Sequence, residues 1–438
     1  MKNLNRLGCG FVLLICLVNF FGCALSPEEK KARHLKKGDE YIAEEKFKEA
    51  ILEYRNVLKI ESKNLNAIEK IGIAYYEIGE LKQAYQFLSR ARELDSKNPE
   101  VPVKLGTIYL LGGKLDEARK EAEYALQNDP GSLDALVLIA GSVNTKEELD
   151  ASIDILEKKE TDFKENSRYY LALGNLYLRK NNFEKTEQLY EKALAKNPDS
   201  ADPHTALGNL YILQRDREKA EAQLKAASEF AAMGSKEQIK LADFYLLSGK
   251  KEQAVNLLSE VAKQAPEFLP ARRRLAQISF AEKNYEDSLN SLAPILKNNP
   301  SDPGAILLRG RIHLAKGKTE EAISDFREVI ELNPRLSQAH QQLGFAYLQA
   351  GNAEDAEKAF KEVLKINPNN AKAILQLAEL QIKTGNPLDA IDILNAYLDK
   401  NPQVPLAHVL LGTAYLAADQ VDNSVEAFQK AAALAPND

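Results

Sequence analysis

The residues able to do chemistry are few in kind and unusually placed. All three cysteines, Cys9, Cys16 and Cys23, fall near the start, so no disulfide framework and no thiol nucleophile serves the rest of the chain. The five histidines could ligate a metal or move protons. Four of them, His34, His204, His340 and His408, are separated by multiples of 34 residues, and His313 stands apart from all four. That spacing spreads them along the chain instead of gathering them. No His-Glu-x-x-His helix and no phosphate-cradling glycine loop is present. The 64 Asp and Glu could bring two carboxylates together, but acid–base work by such a pair needs a shielded pocket that splits their pKa values. The expectation is a chain with no catalytic residue, no metal and no cofactor.

Cys23 is the cysteine with a chemical context. Lys2 and Arg6 precede an apolar run, residues 11–21, and Gly22 stands just before Cys23. A basic start, a short apolar region and a small residue before the cut describe a secretory signal peptide. The stretch "FFGC" resembles a bacterial lipobox, although Phe20 stands where that family usually has an aliphatic residue. The resemblance implies removal of residues 1–22, a lipid on Cys23, and a tether over residues 23–30 of at most roughly 28 Å. In that family an aspartate after the cysteine favours the inner membrane; Ala24 points to the periplasmic face of the outer membrane. The alternative is an uncleaved N-terminal transmembrane anchor, since residues 7–25 just reach spanning length. The flanking lysines and arginine from Lys30 to Lys37 count against it, because they would hold the downstream side in the cytoplasm.

The elements behind these residues follow from a period. Twelve blocks of 34 residues run without a gap from Lys31 to Asp438. The eighth place is always Gly or Ala, from Gly38 to Gly412, and three places on Tyr recurs, as in Tyr75, Tyr211, Tyr347 and Tyr415. The twentieth place is Ala, Ser or Thr, and Pro closes eight blocks. Each block reads as two amphipathic helices around a short polar turn. Small residues let the two helices approach, and Pro stops the second one. No block can bury its apolar face alone, so stacking is required.

This pattern resembles the tetratricopeptide repeat family over residues 31–438. The resemblance implies an all-α fold, a right-handed α-solenoid of twelve helix-turn-helix repeats with first helices lining a concave groove. The histidines then fall on packing places: the fourth for His34, His204, His340 and His408, and the Tyr place for His313. Residues 133–166 depart most, with Val143 in the Tyr place and no closing Pro, and suggest a kink. The sixth block also ends without Pro, at "FAAMGS", residues 230–235. The last block carries no extra capping helix, so its Ala431, Ala432, Leu434 and Ala435 offer an apolar edge for self-association.

By resemblance the ninth place points into the groove. In blocks five to nine it reads Asn175, Asn209, Asp243, Gln277 and Arg311. A carboxamide carries both a donor and an acceptor, so a row of them could hold an extended peptide backbone. Arg273, within "ARRRLAQ", is expected to join Arg311 and Lys240 in a basic spot able to take a carboxylate or phosphate. The net charge of −6 argues against nucleic acid as a partner. The expected function is a non-catalytic scaffold, tethered to the bacterial envelope, that binds a protein or peptide in its groove. The alternative is a component of an exopolysaccharide export or protein-sorting machine.

Overall fold

The computed structural model describes residues 26–435, so Cys23 and the leader lie outside the described residues. Within them the chain forms 25 helices and no strand. Twenty-four are the paired helices of the twelve blocks, and each first helix from the second block onward starts within one residue of its block boundary. The first helix differs: it spans Pro27–Ala43 and so takes up half of the stretch expected to be tether. Local chemistry explains the early start. Ser26 caps the helix through Glu29, whose carboxylate accepts from the Ser26 N–H, and Pro27 occupies a place where its missing N–H costs nothing.

Two compact units make up the chain, one ending at Phe230 and the other beginning at Ala231. Each contains six helix pairs. The division falls at "FAAMGS", where Gly234 takes a φ of +79°, a backbone state that favours glycine. It does not fall in residues 133–166. That block has a nine-residue first helix, Leu133–Gly141, a second, Lys146–Glu157, and one extra turn, Glu160–Phe163. Leu136, Ile139, Ile153 and Leu156 bury into a core continuous with Tyr169 and Leu173 of the next block. The Tyr169 hydroxyl donates to the Leu156 carbonyl at 2.8 Å. The weak block is thus packed into the first unit and does not divide it.

Inside a block, the eighth and twenty-fourth places set the approach of the two helices. A Cβ added at Gly38, Gly174, Gly310, Gly344 or Gly412 would come within 2.7 Å of the ring of Tyr54, Tyr190, Phe326, Phe360 or Phe428. Where the eighth place is Ala (Ala140, Ala242, Ala276, Ala378), the twenty-fourth is Leu (Leu156, Leu258, Leu292, Leu394). Glycine is therefore the price of an aromatic ring at the contact. The tyrosines of the eleventh place link blocks. Tyr75 accepts from Arg55 at 2.6 Å, Tyr347 accepts from Arg327 at 2.6 Å, and Tyr211 donates to Glu187 at 2.8 Å.

Candidate binding site on the first helices

The candidate residues divide between the two units. In the first unit, Asn175 and Asn209 sit on the successive first helices Ser167–Arg179 and Ala201–Leu213, both exposed. They are not equivalent. The Tyr190 hydroxyl donates to Asn175 Oδ1 at 2.6 Å, which takes up the carbonyl and leaves the amide N–H groups to donate. Burial pushes the Tyr190 phenol up to about 12, so it remains a donor. The same bond joins Tyr54 to Asp39 in the first block, at 2.7 Å. In the block of Asn209 the residue matching Tyr190 is Leu224, which has no hydroxyl to give. The Asn209 side chain makes no hydrogen bond among the described residues, so both its donor and its acceptor are open.

In the second unit the expected ladder is tied up by arginine. Arg274 reaches Asp243 Oδ1 at 2.6 Å and donates to Gln277 Oε1 at 2.9 Å. Arg273, expected in the basic spot, instead donates to Asp302 Oδ2 at 2.7 Å. Asp302 caps the following helix, Pro303–Ala315, through the Ala305 N–H, so Arg273 fastens one block to the next. Arg272 donates to the Ala262 carbonyl at 3.1 Å. The other cations of the expected spot behave differently. Lys240 forms no ion pair among the described residues. Arg311 forms none there either: its guanidinium lies over the Phe280 ring, 4.5 Å from the centroid, and burial lowers its pKa. A guanidinium stacked on an aromatic face is held in place while its N–H groups remain free to meet a partner.

One polar cluster escaped sequence reasoning. Arg309 grips Asp325 with two donors, at 2.6 and 3.0 Å, and His313 Nδ1 lies 2.9 Å from the same carboxylate. The hydrogen bonds it donates to Asp325 hold the Arg309 guanidinium above its usual range. Asp325 is buried, and the cluster fills the site that a Tyr occupies in other blocks. The signal was a His in the Tyr place facing an acid twelve residues on.

Family models match nearly the whole described chain. "Tetratricopeptide repeat protein 21 second ARM domain" covers residues 78–317, over half of the sequence. "TPR repeat" covers 38–79, and "Tetratricopeptide repeat" models cover 307–371, 348–408 and 406–438. The chain belongs to the tetratricopeptide repeat family. As a member, it has the fold of a protein-interaction scaffold. It is 25% identical over 152 residues to human "Protein O-mannosyl-transferase TMTC1", covering 34% of this chain and 17% of that protein. It is 24% identical over 146 residues to "TPR repeat-containing protein YpiA" of Bacillus subtilis (strain 168), covering 33% and 34%. The chain thus spans only about a sixth to a third of the length of these relatives. Among solved structures, yeast Tom70 aligns over 94% of this chain and 93% of its own, at 15% identity and a TM-score of 0.44.

No group of three His, Cys, Asp or Glu side chains among the described residues could hold a metal ion. No described helix is long and apolar enough to cross a membrane.

Proposed function

We propose that this tetratricopeptide repeat protein is a non-catalytic scaffold, tethered to the bacterial envelope through a lipid on Cys23, that holds a protein or extended peptide on the ninth-place face of its first helices. One observation carries the reading. Arg272, Arg273 and Arg274 are all engaged within the protein, whereas Arg311 is stacked on Phe280 and has no carboxylate among the described residues. An acidic protein with 64 carboxylates had many ways to pair it. A partner's carboxylate, from an acidic side chain or a chain terminus, satisfies the guanidinium bidentately. In the first unit Asn209 offers a donor and an acceptor suited to a peptide backbone.

The test is cross-linked affinity capture from membranes with the native chain and an Asn209→Ala, Arg311→Ala variant. A partner captured by the native chain and lost from the variant, with an unchanged circular dichroism melt, supports the face as the working site. Equal capture by both overturns it.

A further inference from the structure

The first helix, Pro27–Ala43, carries cations where later first helices are apolar. In the next three blocks the third place is Ala67, Val101 or Ala135, and the seventh is Ile71, Leu105 or Ile139, all buried. The first block has Arg33 and Lys37 at these places. Arg33 is exposed, and the Lys37 side chain is 44% exposed. Lys30 and Lys36 are exposed as well. Residues three and four apart are neighbours on a helix, so Lys30, Arg33 and Lys37 form one stripe with Lys36 beside it. The inner side of the same helix, at Gly38, faces the Tyr54 ring.

The fold compensates this stripe poorly. Lys31, on the inner side, is closed by Glu28 and Glu61, at 2.6 and 3.0 Å. Lys30 and Arg33 form no ion pair among the described residues. Lys36 and Lys37 meet Glu40 and Glu53 at 3.9 and 4.0 Å, and exposed pairs at such distances contribute little. Glu29 is engaged in the cap on Ser26. Residues 26–38 hold five Lys or Arg against two Glu, in a chain whose net charge is −6. Solubility asks only for polar groups of either sign, whereas a basic face on an acidic chain attracts an anion.

Position along the chain says which anion. Ser26 stands three residues after Cys23. A lipid on Cys23 therefore leaves a leash of at most roughly 10 Å before the helix begins. Electrostatic screening acts over about 8 Å at physiological ionic strength. The headgroups of the membrane that holds the lipid are thus within reach of the stripe. We propose that the face formed by Lys30, Arg33, Lys36 and Lys37 rests on a membrane surface of anionic lipids. The inference rests on the attachment proposed above, which brings the face to the membrane, and it adds the chemistry of the surface met there. Each cation at an anionic surface strengthens binding about fivefold. Four of them orient the first helix on the membrane without anchoring it, and the acidic remainder of the chain is repelled from the same surface.

The experiment uses residues 23–438 with Cys23→Ala, a chain that keeps every described helix and carries no lipid. Its probes are vesicles of phosphatidylcholine, alone or mixed with phosphatidylglycerol. At low salt the chain is expected to sediment with the mixed vesicles and not with phosphatidylcholine alone, and to release as salt rises. Adding Arg33→Gln and Lys37→Gln is expected to weaken binding roughly 25-fold. Lys318→Gln and Lys400→Gln remove the same charge from exposed places in the second unit and are expected to leave binding unchanged. No binding to the mixed vesicles, equal binding to both kinds, undiminished binding by a folded Arg33, Lys37 variant, or an equal loss in the Lys318, Lys400 control overturns the inference. The attachment is read separately, by mass spectrometry of the native chain: a bare Cys23 refutes the lipid, while the vesicles still decide the helix face. The comparison of vesicles stands even if a variant fails to fold.

Discussion

Replacing Gly174 by alanine tests the packing rule that also governs the candidate site. A Cβ there would lie 2.5 and 2.7 Å from two ring atoms of Tyr190, whereas packed carbons sit at about 3.5–4.0 Å. Tyr190 is buried, and its hydroxyl is anchored on Asn175, so the ring cannot retreat without giving up that bond. Overpacking costs about 1–3 kcal/mol. The strained hydrogen bond adds about 1 kcal/mol. Alanine returns about 1 kcal/mol through its helix propensity. The net is a local destabilisation of about 1–3 kcal/mol. In a Tyr190→Leu background the sign should reverse. Leucine is the residue found opposite Ala140, Ala242, Ala276 and Ala378, and its branched end can move aside. There Gly174→Ala is expected to stabilise by up to about 1 kcal/mol. Because block stability is local in a repeat array, the readout is amide hydrogen exchange in the helices Ser167–Arg179 and Phe183–Lys196. Exchange there should quicken roughly 5- to 150-fold with Tyr190 present. It should slow when the same change is made beside Tyr190→Leu. Faster exchange in both backgrounds would refute the claim that the ring is what demands glycine.

Two other predictions concern the anchor and the buried phenol. Cys23→Ala is expected to lose its lipid by mass spectrometry and to leave the membrane fraction; undiminished membrane retention would favour an uncleaved anchor. Burial raises the Tyr190 phenol from 10.0 to about 12, so its contribution to stability is complete below pH 10 and is lost as pH rises through about 12. Relative to Tyr190→Phe, the native chain should lose urea resistance across that window, and a constant difference would contradict the assignment.

The repeat was legible in the sequence because each of its signals recurs: a tiny eighth place, a Tyr three on, a closing Pro. Recurrence averages out local exceptions, and so even residues 133–166 keep their pair of helices with a shortened first one. The break after Phe230 was marked by the same missing Pro that marked residues 133–166, and the sequence offered no way to rank the two. Core continuity, set by Leu156 under Tyr169, decides against the earlier one.

The site was less legible because a side chain's partner depends on neighbours a block away. Asn175 and Asn209 share one spelling, "LGN", yet Tyr190 engages the first and Leu224 leaves the second open. The twenty-fourth place carried that distinction all along. Arg273 and Arg274 are adjacent, but successive residues point about 100° apart on a helix. The sixth place, not the fifth, meets the ninth place of the preceding block: Lys70 pairs with Asp39 just as Arg274 pairs with Asp243. Where an acid in the ninth place is followed 31 residues later by a cation, at Asp39 and Asp243, the two close a pair between blocks. Arg311 stands in the ninth place itself, and the residue that should close it, 31 positions later, is the uncharged Gln342. Among the described residues it is the Phe280 face that holds its guanidinium. Arg311 is thus a ninth-place cation with no carboxylate among the described residues, and its loss is one a partner should feel.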